Sequence, residues 1–193
     1  MTQLDPPVPV IDLSAAAGAP ETLRRSKLVT YSWSLVEMAL VTNRLQVSSR
    51  LRISALRLFG ASIGEGVVFR PRTRVKSPWN LRIGDRCWIG DGVWFHNRDK
   101  ISVGDDVVIS QETYLTTGSH AMRTDMSLRT RPITIESGAW LTSRCVVLGG
   151  TTMGRSAVAT PLTVVSGDVP ANAVLSAAAP TVVGVRFPDG TDR

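Results

Sequence analysis

The spacing of apolar residues changes at Gly60. Before it, from Thr22 to Phe59, the spacing is helical. Ser32 or Ser34 can cap a segment whose apolar positions include Leu35, Met38, Ala39 and Val41. Ser48 can cap a second, in which Leu51, Ala55, Leu58 and Phe59 share a face that leaves Arg50 and Arg57 outside. Gly60 then stands where a helix stops. Beyond Gly60 a six-residue period takes over, with an aliphatic residue first and a small or β-branched residue fifth. Ile63 is followed by Val67, Phe69 by Thr73 and Val75 by Trp79. A two-residue slip brings Ile83 with Cys87, Ile89 with Val93, and a less regular rung from Phe95 through Asn97 and Asp99. A second slip resets the phase to Val103 with Val107, Ile109 with Thr113 and Leu115 with Ser119. The pattern breaks over 121–133. It resumes with Ile135 and Ala139, Leu141 and Cys145, Val147 and Thr151, Met153 and Ala157, Ala159 and Thr163, and Val165 and Val169.

Fixed self-similarity of this kind predicts an all-β parallel β-helix. Each hexad is one short strand and a turn, three hexads close a triangular coil, and first and fifth positions point inward. Strands of an ordinary sandwich would instead alternate with period two and variable spacing. The glycines after the aliphatic position (Gly64, Gly84, Gly90, Gly104, Gly154) suit a tight turn with positive φ. The chain therefore divides into an arm (1–22), a helical collar (23–60), a β-helix (61–170) with an extruded loop (121–132), and a tail (171–193) packing on the last coil.

The 193 residues, 43% hydrophobic and 20% charged, fit one folded domain. The longest apolar stretch, 35–45, is interrupted by Glu37, Asn43 and Arg44, and the proline-rich start lacks a secretory pattern, so a cytoplasmic location is expected. Cys87 and Cys145 both fall at the inward fifth position, which makes them packed thiols. The net charge of +6 changes the picture more, because residues 24–76 carry eleven basic side chains against Glu37 and Glu65. Nucleic acid, anionic lipid and phosphorylated ligands all match that sign. No nucleic-acid reader motif or aromatic platform accompanies the charge, so nucleic acid is not an expected partner.

A solenoid offers little concavity along its regular faces, so chemistry belongs where regularity fails. The two histidines, His96 and His120, fall in adjacent irregular rungs. His120 is at a corner beside the extruded loop, where it can act as a base near neutral pH or simply hydrogen-bond the loop. Neither histidine has a carboxylate at ligand spacing, so no metal is expected. Phosphate-loop, serine-elbow and paired-carboxylate signatures are absent from the sequence.

The segments Leu56-Arg57-Leu58-Phe59-Gly60-Ala61, Ser77-Pro78-Trp79-Asn80-Leu81, Ile83-Gly84-Asp85, Trp88-Ile89-Gly90 and Ile109-Ser110-Gln111 form a set. With Thr117-Gly118-Ser119-His120, Arg131-Pro132-Ile133 and Asp168-Val169-Pro170, they resemble the colanic-acid-type branch of the hexapeptide-repeat O-acetyltransferases over roughly 50–185. The resemblance implies a left-handed β-helix, a homotrimer, and acetyl-CoA lying between two prisms. It implies His120 as catalytic base, Ser143 as support for the oxyanion, and Asn97, Trp94 and Tyr114 at the acceptor. It assigns Trp140, Thr142, Pro161, Ser166, Gly167 and Arg186 to the cofactor side. The implied acceptor is a sugar hydroxyl in surface-polysaccharide biosynthesis, and the basic collar would suit a phosphate-bearing acceptor or an anionic membrane.

Four places depart from that pattern, all on the cofactor side: Leu141-Thr142 for Ile-Gly, residues 160–163 for a glycine-rich segment, Ser166-Gly167 for Thr-Lys, and 178–181 for Gly-Asn-Pro-Ala. Two alternatives follow. One is a non-catalytic trimeric scaffold with an impaired CoA site; the other is an acetyltransferase for serine or a xenobiotic alcohol.

Overall fold

The computed structural model describes residues 10–15 and 25–184. Helix α1 (Lys27–Val36) runs into a π-helical turn over Glu37–Val41, and α2 (Ser49–Leu58) follows. Ser48 caps α2 as expected, its hydroxyl accepting from Leu51 N–H. The first helix starts earlier than the spacing suggested. Ser26 is its cap, and Ser34 turns back onto Thr30 O. The buried face also differs: Trp33 and Val41 pack inward, while Leu35, Met38 and Ala39 stay exposed. Trp33 wins because its indole both packs at a tilt against Phe59 (5.2 Å between centroids) and donates to Val75 O at 2.8 Å.

From Ser62 the chain winds as a parallel β-helix with three faces. The first face stacks Ser62–Ile63, Leu81–Ile83, Ile101–Val103, Ile133–Ile135, Thr152–Met153 and Asp168–Val169. The second stacks Val68–Phe69, Trp88–Ile89, Val108–Ile109, Trp140–Leu141, Val158–Ala159 and Val174–Leu175. The third stacks Arg74–Val75, Trp94–His96, Tyr114–Thr116, Val146–Leu148 and Val164–Val165. First-position residues stack in register inside the prism, as Phe69 on Ile89 on Ile109 on Leu141 on Ala159. Cys87 and Cys145 are fully buried among the small corner residues, and burial pushes the Cys87 thiol up.

The phase slips are corner insertions between the third and first faces. There the inward position passes to Ser77, Asn97 and Thr117, in place of Trp79 and Ser119, and all three are buried. Met153 pairs with Val169, so the last corner is shortened and Val169 takes a first-position role. The glycines following the aliphatic position serve close approach, since none of Gly64, Gly84, Gly90, Gly104 and Gly154 has positive φ. A Cβ at Gly64 would lie 2.7 Å from the Gly84 carbonyl carbon of the next coil.

The first coil would leave three rows of backbone groups unpaired, and the collar bonds to each row. Arg57 donates to Ile63 O and Gly64 O on the first face. On the second, Phe69 N–H donates to Ser49 Oγ and Arg52 Nη1 donates to Phe69 O. On the third, Val75 N–H donates to the Glu37 carboxylate at 2.7 Å while Trp33 holds Val75 O. Desolvation raises the Glu37 carboxyl above its ordinary value and lowers the Arg52 guanidinium below its own. The opposite end differs from expectation: residues 176–184 are exposed, so over that span the tail does not pack on the last coil. Its run of alanines before Pro180 has little apolar surface to bury.

Candidate active site

The hexad pattern is interrupted where Gly118–His120 pairs antiparallel with Leu128–Thr130, making the expected loop a β-hairpin. His120 faces Leu128 in that ladder. Its Nδ1 lies 2.8 Å from Met126 O. A carbonyl can only accept, so Nδ1 carries the proton and, in the neutral ring, Nε2 keeps a free lone pair. The hairpin thereby supplies the group that orients the base. Beside it opens a cleft of about 450 Å³, lined by His120, Arg129, Arg131, Gly149, Ser166 and Gly167, among others. Two of the residues assigned to the cofactor side, Ser166 and Gly167, thus meet His120 within one chain. Arg129 and Arg131 were not anticipated. Arg129 lies in the second hairpin strand and Arg131 just past its end, and their spacing of two residues was the available signal.

On the third face, Trp94 and Tyr114 form an outward aromatic platform with centroids 4.9 Å apart, completed by His96 5.6 Å from Trp94. The Arg74 guanidinium stacks on Trp94 at 4.1 Å. His96 Nδ1 is 3.0 Å from Thr116 Oγ1. Burial, then the charges of Arg98, Lys76 and Arg74, lower the His96 imidazolium below its ordinary value, which favours the neutral ring. The platform adjoins the base of the hairpin, since a Cβ at Gly118 would lie 3.9 Å from His96 Cε1.

Asn97 is not in the cleft. It is fully buried, accepting from Ser77 N–H at 2.9 Å and donating to Ser77 O at 2.6 Å. The inserted corner adds backbone groups that the hexad ladder cannot pair, and the Asn97 amide pairs them. Thr142 is likewise turned inward, its hydroxyl donating to Ala159 O at 2.7 Å.

The remaining assigned residues gather at a different corner, between the second and third faces. Ser143 and Pro161 line a groove of about 420 Å³ with Gln111, Glu112, Arg144 and Leu162. Ser143 Oγ donates to Gln111 Oε1 (3.2 Å), and the half-exposed Trp140 donates to Ser110 Oγ (3.0 Å). The whole third face separates this corner from His120. Arg186 lies outside the described residues. Among those residues no group of histidine, cysteine and carboxylate side chains could hold a metal.

A prism of stacked hexads with a histidine-bearing hairpin at one corner defines the hexapeptide-repeat acyltransferase class. Comparison narrows this. The chain is 38% identical, over 143 residues, to an Escherichia coli K12 protein named as the colanic acid biosynthesis acetyltransferase WcaF, covering 74% of this chain and 79% of the relative. It is 26% identical over 161 residues to the galactoside O-acetyltransferase of the same organism, covering 81% of this chain and 75% of that one. A hexapeptide-repeat acetyltransferase from Vibrio cholerae O1 biovar eltor, solved with acetyl coenzyme A, shares the fold at a TM-score of 0.71 and 22% identity, over 78% of this chain and 83% of its own. No protein-family model matches the chain. The chain belongs to the colanic-acid-type branch of the hexapeptide-repeat acetyltransferases, and it is an enzyme of acyl transfer.

Proposed function

We propose that the chain transfers the acetyl group of acetyl-CoA to a sugar hydroxyl in the biosynthesis of a surface polysaccharide, working as a homotrimer with His120 as general base. The observation that carries this reading is the His120–Met126 hydrogen bond, which fixes the tautomer that leaves Nε2 basic beside the cleft. The names of the two relatives support an acetyl acceptor of the sugar class, and the acetyl-CoA complex of the Vibrio cholerae protein supports the donor.

Nε2 takes the hydroxyl proton as the sugar oxygen attacks the thioester carbonyl carbon. The carbonyl oxygen becomes an oxyanion, the C–S bond then breaks, and the proton on Nε2 passes to the departing thiolate. A donor aimed at the oxyanion accelerates this step, and the Ser143 hydroxyl can supply one by turning its O–H from Gln111 Oε1 to the oxyanion. Because Ser143 and His120 sit on different corners, both reach one reaction centre only if adjacent copies face each other across the cleft. The Trp94–Tyr114–His96 platform offers ring faces on which the apolar side of a pyranose can stack, and Arg129 and Arg131 suit the phosphates of donor or acceptor.

His120→Ala tests the reading by steady-state kinetics and calorimetry. The expected result is a loss of about 10²–10⁴ in kcat with acetyl-CoA binding and oligomeric mass unchanged; unaltered kcat removes His120 as the base. A non-catalytic scaffold is the second reading, favoured by Leu162, which holds a left-handed φ of 64° where a glycine-rich segment is usual. It requires that acetyl-CoA fail to bind even at about millimolar concentration.

A further inference from the structure

The collar faces the prism with Trp33, Val41, Ile53 and Leu56, and this choice leaves another apolar face unpartnered. Leu28, Tyr31, Leu35 and Met38 recur at helical spacing along α1 and its π-helical extension, and each is more than 60% exposed. Leu45 and Val47, in the connection to α2, are above 80%. Single exposed apolar residues are ordinary, but a stripe of this kind marks an interaction surface.

The charges around the stripe say what it meets. Residues 25–60 hold one acidic side chain, Glu37, which is turned onto Val75 N–H. The exposed charges of that stretch are all basic: Arg25, Lys27, Arg44, Arg50 and Arg57. Arg25 lies over the Trp79 ring and Arg57 holds Ile63 O and Glu65, which leaves Lys27, Arg44 and Arg50 without an ion-pair partner among the described residues. A helix with an exposed apolar stripe, on a collar whose exposed charges are all basic, suits the interface of an anionic bilayer. Among the described residues no helix is long and apolar enough to cross one.

We infer that the collar is a docking surface for an anionic lipid bilayer, with Leu28, Tyr31, Leu35 and Met38 entering the headgroup boundary and Lys27, Arg44 and Arg50 meeting lipid phosphates. Docking of this kind holds the enzyme where an acceptor carried on a lipid would be found. The inference goes beyond the acetyl-transfer reading and does not depend on it.

The experiment is co-sedimentation of the full chain with vesicles of phosphatidylcholine alone and with about 30% phosphatidylglycerol. Binding is expected to the anionic vesicles only, weakening several-fold between about 0.1 and 0.5 M salt. Lys27→Glu with Arg44→Glu, and separately Leu28→Ser with Leu35→Ser, should each lower partitioning at least about tenfold. Both double variants are expected to keep the wild-type oligomeric mass and circular dichroism. Equal sedimentation with both vesicle types, or with neither, overturns the inference. So does a change in oligomeric mass in the Leu28→Ser, Leu35→Ser variant, which would assign the stripe to contact between copies of the chain.

Discussion

Asn97 shows how a residue's chemistry and its place can disagree. The resemblance to the family assigns this asparagine, beside a histidine in an irregular rung, to the acceptor. The structure uses the amide differently, closing both backbone groups of Ser77 inside an inserted corner. Replacing Asn97 by alanine should therefore orphan a buried N–H and a buried carbonyl. The expected cost is on the order of 3 kcal/mol, read by urea denaturation, with the affinity for acetyl-CoA preserved. A loss of activity at full stability would return Asn97 to the acceptor site. His120 was legible in the sequence as a corner histidine, but the group that orients it was not. Met126 O is a backbone atom, and only the hairpin register brings it to Nδ1.

At the level of elements, the β-helix was legible because its period is enforced by geometry. Every first-position side chain stacks on the same position of the next coil, so the constraint repeats and the pattern survives local exceptions. The collar was less legible, because both helices carry apolar residues around much of their circumference. What selects the inward face is the unpaired edge of the first coil. The collar meets it with Trp33, Glu37, Ser49, Arg52 and Arg57, and these polar contacts have no hydrophobic period.

Glu37 gives a test of this capping. Its folded carboxyl titrates above the ordinary value because burial outweighs the hydrogen bond and nearby cations. The folded state thus binds the proton more tightly than the unfolded chain. Stability from this group is present below the ordinary carboxylate range and lost as pH rises through the raised value. Glu37→Gln keeps an acceptor for Val75 N–H without a charge to desolvate. It should be at least as stable as wild type at pH 7 and less dependent on pH between 4 and 7, by thermal melts. Glu37→Leu orphans the N–H and should lose about 1–3 kcal/mol.

For the whole molecule, the decisive fact is the separation of His120 from Ser143 by the third face. If the proposed trimer closes its site between copies, each reaction centre takes His120 from one chain and Ser143 from its neighbour. Ser143→Ala alone should lower kcat by about 10–1,000-fold. An equal mixture of His120→Ala and Ser143→Ala chains, assembled together, should then recover about a quarter of wild-type activity, because a quarter of the interfaces pair two intact corners. Mixtures no more active than the separate variants would place both residues' work within one chain, or remove one of them from it.

The sequence by itself determined the solenoid, the existence of its phase slips, the interruption after His120 and the family to which the chain belongs. All of these are carried by local spacing repeated many times. Tertiary structure alone decided which face of the collar is covered, which polar residues are consumed in closing the fold, and which candidate residues share a corner. Those outcomes rest on contacts between coils and between collar and prism. They bring together side chains far apart in the chain, and no periodicity encodes them.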